Sequence, residues 1–247
     1  FTASDIDAAG LRGAKIFHLG YPSLLPRLTD DSGAGLVKVF KAAHKAGAAT
    51  SLDMTLPDEN ADAGVLDWHA IFKSALPHVD IFVPTIEEAL FTLRRADFDR
   101  WRGRAAESVS LAYLRAFASD LLSFGCAIVG FKLGQYGVYI RCAEEDRLAR
   151  LRPGGLRLPG WDGREIYQPA YRVDVKGTTG AGDAAYAALI TAMLRGETLE
   201  TAASWFCAVG ASCCEAPDAA SGVQSLYDTA ARIATGWDLR PERLAGA

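Results

Sequence analysis

The chain has 247 residues, half of them hydrophobic, enough to bury one large core or two modest ones. Its formal net charge of -4 speaks against a nucleic-acid partner, which usually needs a net basic face to displace counterions. No apolar run approaches the ~20 residues that cross a bilayer, and the start, Phe1 to Asp5, has neither the basic nor the apolar region of a signal peptide, so no membrane contact and a soluble cytoplasmic protein are expected.

Taken in chain order, residues 14–21 form a short apolar run stopped by Gly20 and Pro22, which predicts a buried strand. Leu36, Val37, Val39, Phe40 and Ala43 then follow helical spacing between Gly35 and Gly47, and residues 49–54 return to strand character, with Asp53 near the end. The alternation continues with a helix over 65–76, a strand over 80–83 closed by Pro84, and a helix over 86–95. Leu111, Leu114, Phe117, Leu121 and Leu122 give 108–124 one apolar helix face, ended by Gly125. Residues 126–132 and 137–141 read as two antiparallel strands around Gly134-Gln135-Tyr136-Gly137. The stretch 142–163 turns to charge, proline and glycine, and predicts an irregular surface excursion. A strand over 165–173 and helices over 183–195, 199–215 and 223–235 complete the chain. Strands alternating with helices predict a single α/β domain over 1–247, a mostly parallel sheet covered on both faces with an antiparallel hairpin at one side.

Five cysteines without paired spacing suggest neither disulfides nor zinc, and the four histidines, His18, His44, His69 and His78, are scattered singly. The strongest local signal is Gly177-Thr178-Thr179-Gly180-Ala181-Gly182-Asp183, between a strand and a helix. Small residues let the backbone approach a ligand, and free N–H groups at a helix start make an anion cradle. A carboxylate at an anion site repels its ligand unless it has a chemical duty. Asp183 has one available: accepting the proton of a hydroxyl that attacks a bound phosphoryl group. The run fits neither a Walker A loop nor an early dinucleotide fingerprint. A plain glycine-rich turn with Asp183 as an N-cap is the competing reading.

In this run the chain resembles the ribokinase-like, or PfkB-type, carbohydrate kinases, whose second signature is a GAGD run opening a helix. The resemblance extends through Phe17-His18-Leu19-Gly20, Leu52-Asp53, Pro84-Thr85-Ile86-Glu87-Glu88 and Lys132-Leu133-Gly134 with Gly137, in the family's order. It implies a three-layer α/β/α sandwich and an ATP- and Mg2+-dependent transfer of the γ-phosphoryl group to a hydroxyl of a sugar or sugar-like molecule. Asp183 would be the general base, and the backbone of Gly180, Ala181 and Gly182 the anion hole. Glu88 falls on the glutamate that helps hold hydrated magnesium, although an acid in a first helical turn needs no such duty. Lys132, Gly134, Gly137 and Thr179 would approach the nucleotide, although a plain hairpin also needs the glycines. Asp53, at the strand edge where α/β ligands bind, is expected to face substrate.

The departures have consequences of their own. Gly177 stands where the family often has a cation-ligating Asp, which weakens any expectation of potassium activation. Thr85 replaces an asparagine, and Cys207 stands where some members face adenine with an asparagine. The family's upstream segment, with much of the sugar site and the lid whose edges pair into homodimers, has no counterpart before Phe1, so a chain without the N-terminal part and lid is expected. A nucleotide or sugar sensor that keeps the fold without transferring phosphate is the alternative function. A dinucleotide oxidoreductase lacks its early GxGxxG. The arginines at 94, 95, 100, 102 and 104 around Trp101 read as a solvated helix end, and Trp161, Trp205, Trp237 and Tyr186 as packing residues.

Overall fold

The structure is a computed structural model and describes residues 1–7 and 9–247. Strand and helix alternate from the start: β1 (Ile16–Leu19), α1 (Pro26–Lys45), β2 (Ala49–Leu52), α2 (Trp68–Ala75), β3 (Ile81–Phe82) and α3 (Ile86–Leu93). Two short helices, α4 (Arg95–Trp101) and α5 (Ala105–Ser108), precede α6 (Leu111–Phe124), β4 (Ile128–Lys132) and β5 (Val138–Cys142). Next come α7 (Glu145–Leu148), a 3-10 turn at Ala149–Gly154, β6 (Glu165–Gln168), α8 (Ala181–Arg195), α9 (Leu199–Cys213) and α10 (Leu226–Ala234).

The strands form one sheet in the order β1-β2-β3-β4-β5-β6. β1 to β4 are parallel, while β5 and β6 are antiparallel to their neighbours. Because side chains alternate along a strand, each strand feeds two cores. Leu52, Phe82, Val129 and Phe131 meet α1, α2, α3 and α6 on one face. Ile81, Val83, Ile128, Val138 and Ile140 meet α8 and α9 on the other. This is a three-layer α/β/α sandwich.

Several boundaries differ from expectation for local reasons. The predicted strand at 165–173 stops at Gln168, since Pro169 has no N–H to continue the ladder. The first helix begins earlier, at Pro26, but its backbone leaves the helical region at Asp30–Gly33. The stretch 142–163 is not a surface excursion. Leu148, Leu151, Leu156 and Trp161 enter the second core, and the Trp161 indole N–H donates to the Glu197 carbonyl at 3.0 Å. Its charged residues hid four apolar anchors. The arginine cluster is a built network: Arg95 and Arg102 both hold Glu59, and Arg94 holds Asp120.

Candidate active site

Because β1 to β4 run parallel, their C-terminal ends share one edge of the sheet, where ligands of α/β proteins bind. Backbone bonds extend the ladder just past the strand ends. The Asp53 N–H donates to the Leu19 carbonyl at 2.9 Å, and the Lys132 N–H to that of Pro84 at 2.8 Å. This register brings Tyr21, Asp53, Thr85 and Lys132 to one edge, beneath the start of α8.

Asp53 and Lys132 form a buried ion pair, with Nζ at 2.7 and 2.9 Å from the two carboxylate oxygens. Asp53 is only 1% exposed and Lys132 8%. Burial pushes the Asp53 carboxyl up, against the opposing pull of Lys132. Asp53 therefore lies at the expected edge but is engaged by Lys132 rather than open to a ligand. The ammonium also lies 5.8 Å from the Tyr186 ring centroid. Tyr186, taken from sequence as packing, is buried and donates to the Leu52 carbonyl at 3.1 Å while accepting from Ser51 at 2.9 Å.

Glu88 closes a capping box at the start of α3. Its Oε2 accepts from the Thr85 N–H at 2.7 Å, and Thr85 Oγ1 accepts from the Glu88 N–H at 3.2 Å. The Thr85 that replaces the family's asparagine is thus the N-cap itself. Burial raises the Glu88 carboxyl to about 7, opposed by the charge of Lys132. Among the described residues no three ligating side chains cluster around a metal position. A cation beside Glu88 would take most of its ligands from water and phosphate, which is how Mg2+ is commonly held, so this donor set fits magnesium.

α8 starts at Ala181, with Gly180 as N-cap in the left-handed region at φ 76°. A Cβ at Gly180 would lie 2.4 Å from the Ala219 carbonyl, so glycine is required there twice over. The Ala181 N–H closes the turn onto the Thr178 carbonyl at 3.2 Å. Of the three N–H groups expected to form the anion hole, that of Ala181 is therefore engaged, while those of Gly180 and Gly182, and of Asp183 beside them, have no hydrogen-bond partner among the described residues. A Cβ at Gly182 would stand 3.5 Å from Lys132 Nζ, so the helix start and the lysine face the same space. At Gly177 a Cβ would press on the carbonyls of Ala216 and Pro217 at 3.0 and 2.9 Å. The packing there leaves no room for the side chain that the family often carries.

Two hollows flank this helix start. A cavity of about 520 Å3 gathers Lys132, Gly134, Gly137, Ala181, Gly182 and Cys207, with Phe206 and Arg240 completing its wall. Its volume lies in the range of small-ligand sites. Cys207 is buried and its thiol pushed up by burial, so it offers an inert apolar wall. Thr179 does not line this cavity. Asp183 faces an open groove of about 710 Å3 on the other side, together with Gly180, and accepts a hydrogen bond from the Tyr21 hydroxyl. Sequence reasoning missed Tyr21, Phe206 and Arg240. Tyr21 alone carried a signal, its place just after a strand-ending glycine.

No curated protein matches the chain. Similar solved structures include a ribokinase from Arabidopsis thaliana complexed with ribose and ATP, at 20% identity and TM-score 0.62, covering 92% of this chain and 58% of that one. A putative ribokinase II from E. coli in complex with ATP and Mg2+ matches at 18% and 0.67, covering 95% and 63%. Aminoimidazole riboside kinase from Salmonella enterica, complexed with aminoimidazole riboside and an ATP analog, matches at 18% and 0.61, covering 94% and 66%. The chain thus spans less than two thirds of the length of these structures, and the likeness establishes a ribokinase-like fold. The family model described as pfkB family carbohydrate kinase matches residues 3–226, nearly the whole sequence, and the chain belongs to that family.

Proposed function

We infer that this chain carries the transfer machinery of an ATP- and magnesium-dependent kinase that phosphorylates a hydroxyl of a sugar or sugar-like molecule. The observation that carries this reading is the start of α8. Within one turn it has unpartnered N–H groups at Gly182 and Asp183, the Lys132 ammonium facing Gly182, and a carboxylate on the side away from the cavity of about 520 Å3. A nucleotide in that cavity would direct its phosphates at the helix start, where the dipole and the lysine favour negative charge.

An acceptor entering from the open side would present its hydroxyl to Asp183. The carboxylate takes the proton as the hydroxyl oxygen bonds to the γ-phosphorus, and the bond to the β-phosphate oxygen breaks, leaving ADP. The N–H groups and Lys132 stabilise the charge on the transferred group. Glu88 is the residue that would hold hydrated magnesium, which when bound neutralises phosphate charge. Lys132 has a second duty in the resting site, since its pairing with Asp53 fixes the ammonium before a nucleotide arrives.

As an ATP-using kinase the protein would act in the cytoplasm, with its nucleotide donor. A panel of sugars and nucleosides, including ribose, fructose and aminoimidazole riboside, assayed with Mg-ATP for ADP release and phosphorylated product, tests it. Product from at least one acceptor is expected. ATP binding by calorimetry with no transfer to any acceptor would instead favour the sensor.

A further inference from the structure

Tyr21 is held in a backbone conformation that its sequence disfavours. Its φ of 58° and ψ of 54° lie in the left-handed region, where a residue with a Cβ is uncommon. Pro22 adds to this, because a proline ring favours extended backbone at the residue before it. The neighbouring Gly20, which takes such a conformation freely, is not in it. The conformation is imposed by specific bonds: the Tyr21 N–H donates to the Asp53 carbonyl at 3.3 Å, and its own carbonyl accepts from Leu24 at 2.9 Å. A disfavoured backbone that the surroundings enforce next to a reactive group points to a use for it.

The use is visible at the other end of the side chain. The half-buried ring carries its hydroxyl from the end of β1 to the start of α8, where it donates to Asp183 Oδ1. This is the one side-chain hydrogen bond to Asp183 among the described residues. An exposed aspartate at a helix start would otherwise sample several rotamers. We propose that Tyr21 is a positioning residue: it fixes Asp183 through Oδ1 and leaves Oδ2 to the acceptor hydroxyl, so that the base is aimed before substrate arrives. This rests on the reading of Asp183 as the general base. Burial and the neighbouring Asp183 carboxylate both keep the phenol protonated, so it remains a donor through the neutral range.

The test has two arms on the 247-residue protein. In the first, the tyrosines are labelled with 13C at Cζ, and the Tyr21 resonance, assigned by its loss in Tyr21→Phe, is titrated in wild type and Asp183→Asn. Tyr21 is expected to ionise above the ordinary tyrosine range in wild type. In Asp183→Asn its midpoint should fall by about one pH unit or more, because a neutral amide no longer penalises the phenolate. An unchanged midpoint overturns the proposal without need of any acceptor.

In the second arm, Tyr21→Phe keeps the ring and removes only the hydroxyl. It should lower kcat by about tenfold, the scale of one hydrogen bond in the transition state, with the KM for ATP within about twofold of wild type. A purely structural tyrosine would lower thermal stability and leave kcat alone, which overturns the proposal. If Asp183→Asn is inactive while Tyr21→Phe turns over like wild type, only the role of Tyr21 falls. If Asp183→Asn is fully active, the base assignment falls and takes this proposal with it.

Discussion

Removing the charge of Asp53 is expected to destabilise the fold strongly, because it strands a buried cation at this edge of the sheet. The carboxylate is 1% exposed and holds both short contacts to Lys132, which is itself buried. Asp53→Asn keeps the shape and leaves an ammonium with no carboxylate bound to it. Removing one partner of a buried pair typically costs 3–5 kcal/mol, whereas replacing both with apolar groups is often neutral. We expect the lower end, about 3 kcal/mol, since the Tyr186 ring at 5.8 Å and the nearby Glu88 still favour the cation. In urea unfolding at pH 7 this lowers the midpoint by about 1 M or more. The double variant Asp53→Asn/Lys132→Met should recover at least half of the loss, yet bind ATP poorly. A loss below about 0.5 kcal/mol for Asp53→Asn, or a double variant as unstable as the sum of its singles, would refute this reasoning.

Glu88 has a folded-state value of about 7, above its ordinary 4.5, so its contribution is fully present below pH 4.5 and lost as pH rises toward 7. In magnesium-free buffer wild type should lose roughly 3 kcal/mol through this group across that window, and Glu88→Gln, which still accepts the Thr85 N–H, should flatten the curve. A variant with the wild-type slope contradicts this. Gly180→Ala should cost at least about 1–2 kcal/mol in chemical denaturation through its left-handed backbone alone. Gly182→Ala should leave stability intact but weaken ATP binding about tenfold by crowding the space shared with Lys132; equal ATP affinity in calorimetry would place the phosphates elsewhere. Trp161→Ala should cost about 3–5 kcal/mol, and a loss near zero would return 142–163 to the surface.

The alternation of strands and helices was legible because strands buried on both faces read as short apolar runs, while the helices between them keep a period of about 3.6 residues. The glycines at 180 and 182 and the carboxylates at 53, 88 and 183 were legible as residue types at strand ends and helix starts. Contacts between distant segments were not. Nothing in local spacing couples Asp53 to Lys132, 79 residues later, or Tyr21 to Asp183, 162 residues later. Boundaries failed where one residue overrules a pattern, as Pro169 does in β6, or where sparse anchors sit among charges, as Trp161 and Leu156 do. The Ala181 N–H illustrates a subtler limit: a free donor at a helix start depends on the turn before it, and that turn is set by the left-handed Gly180.

Asp183 is the residue on which phosphoryl transfer at the start of α8 depends most directly. In the acceptor panel with Mg-ATP, Asp183→Asn should lower kcat by about 10²-fold or more while ATP affinity by calorimetry stays close to wild type. Turnover at the wild-type rate on the same acceptor would contradict the assignment of the base, and with it the reading of the α8 start as a transfer site.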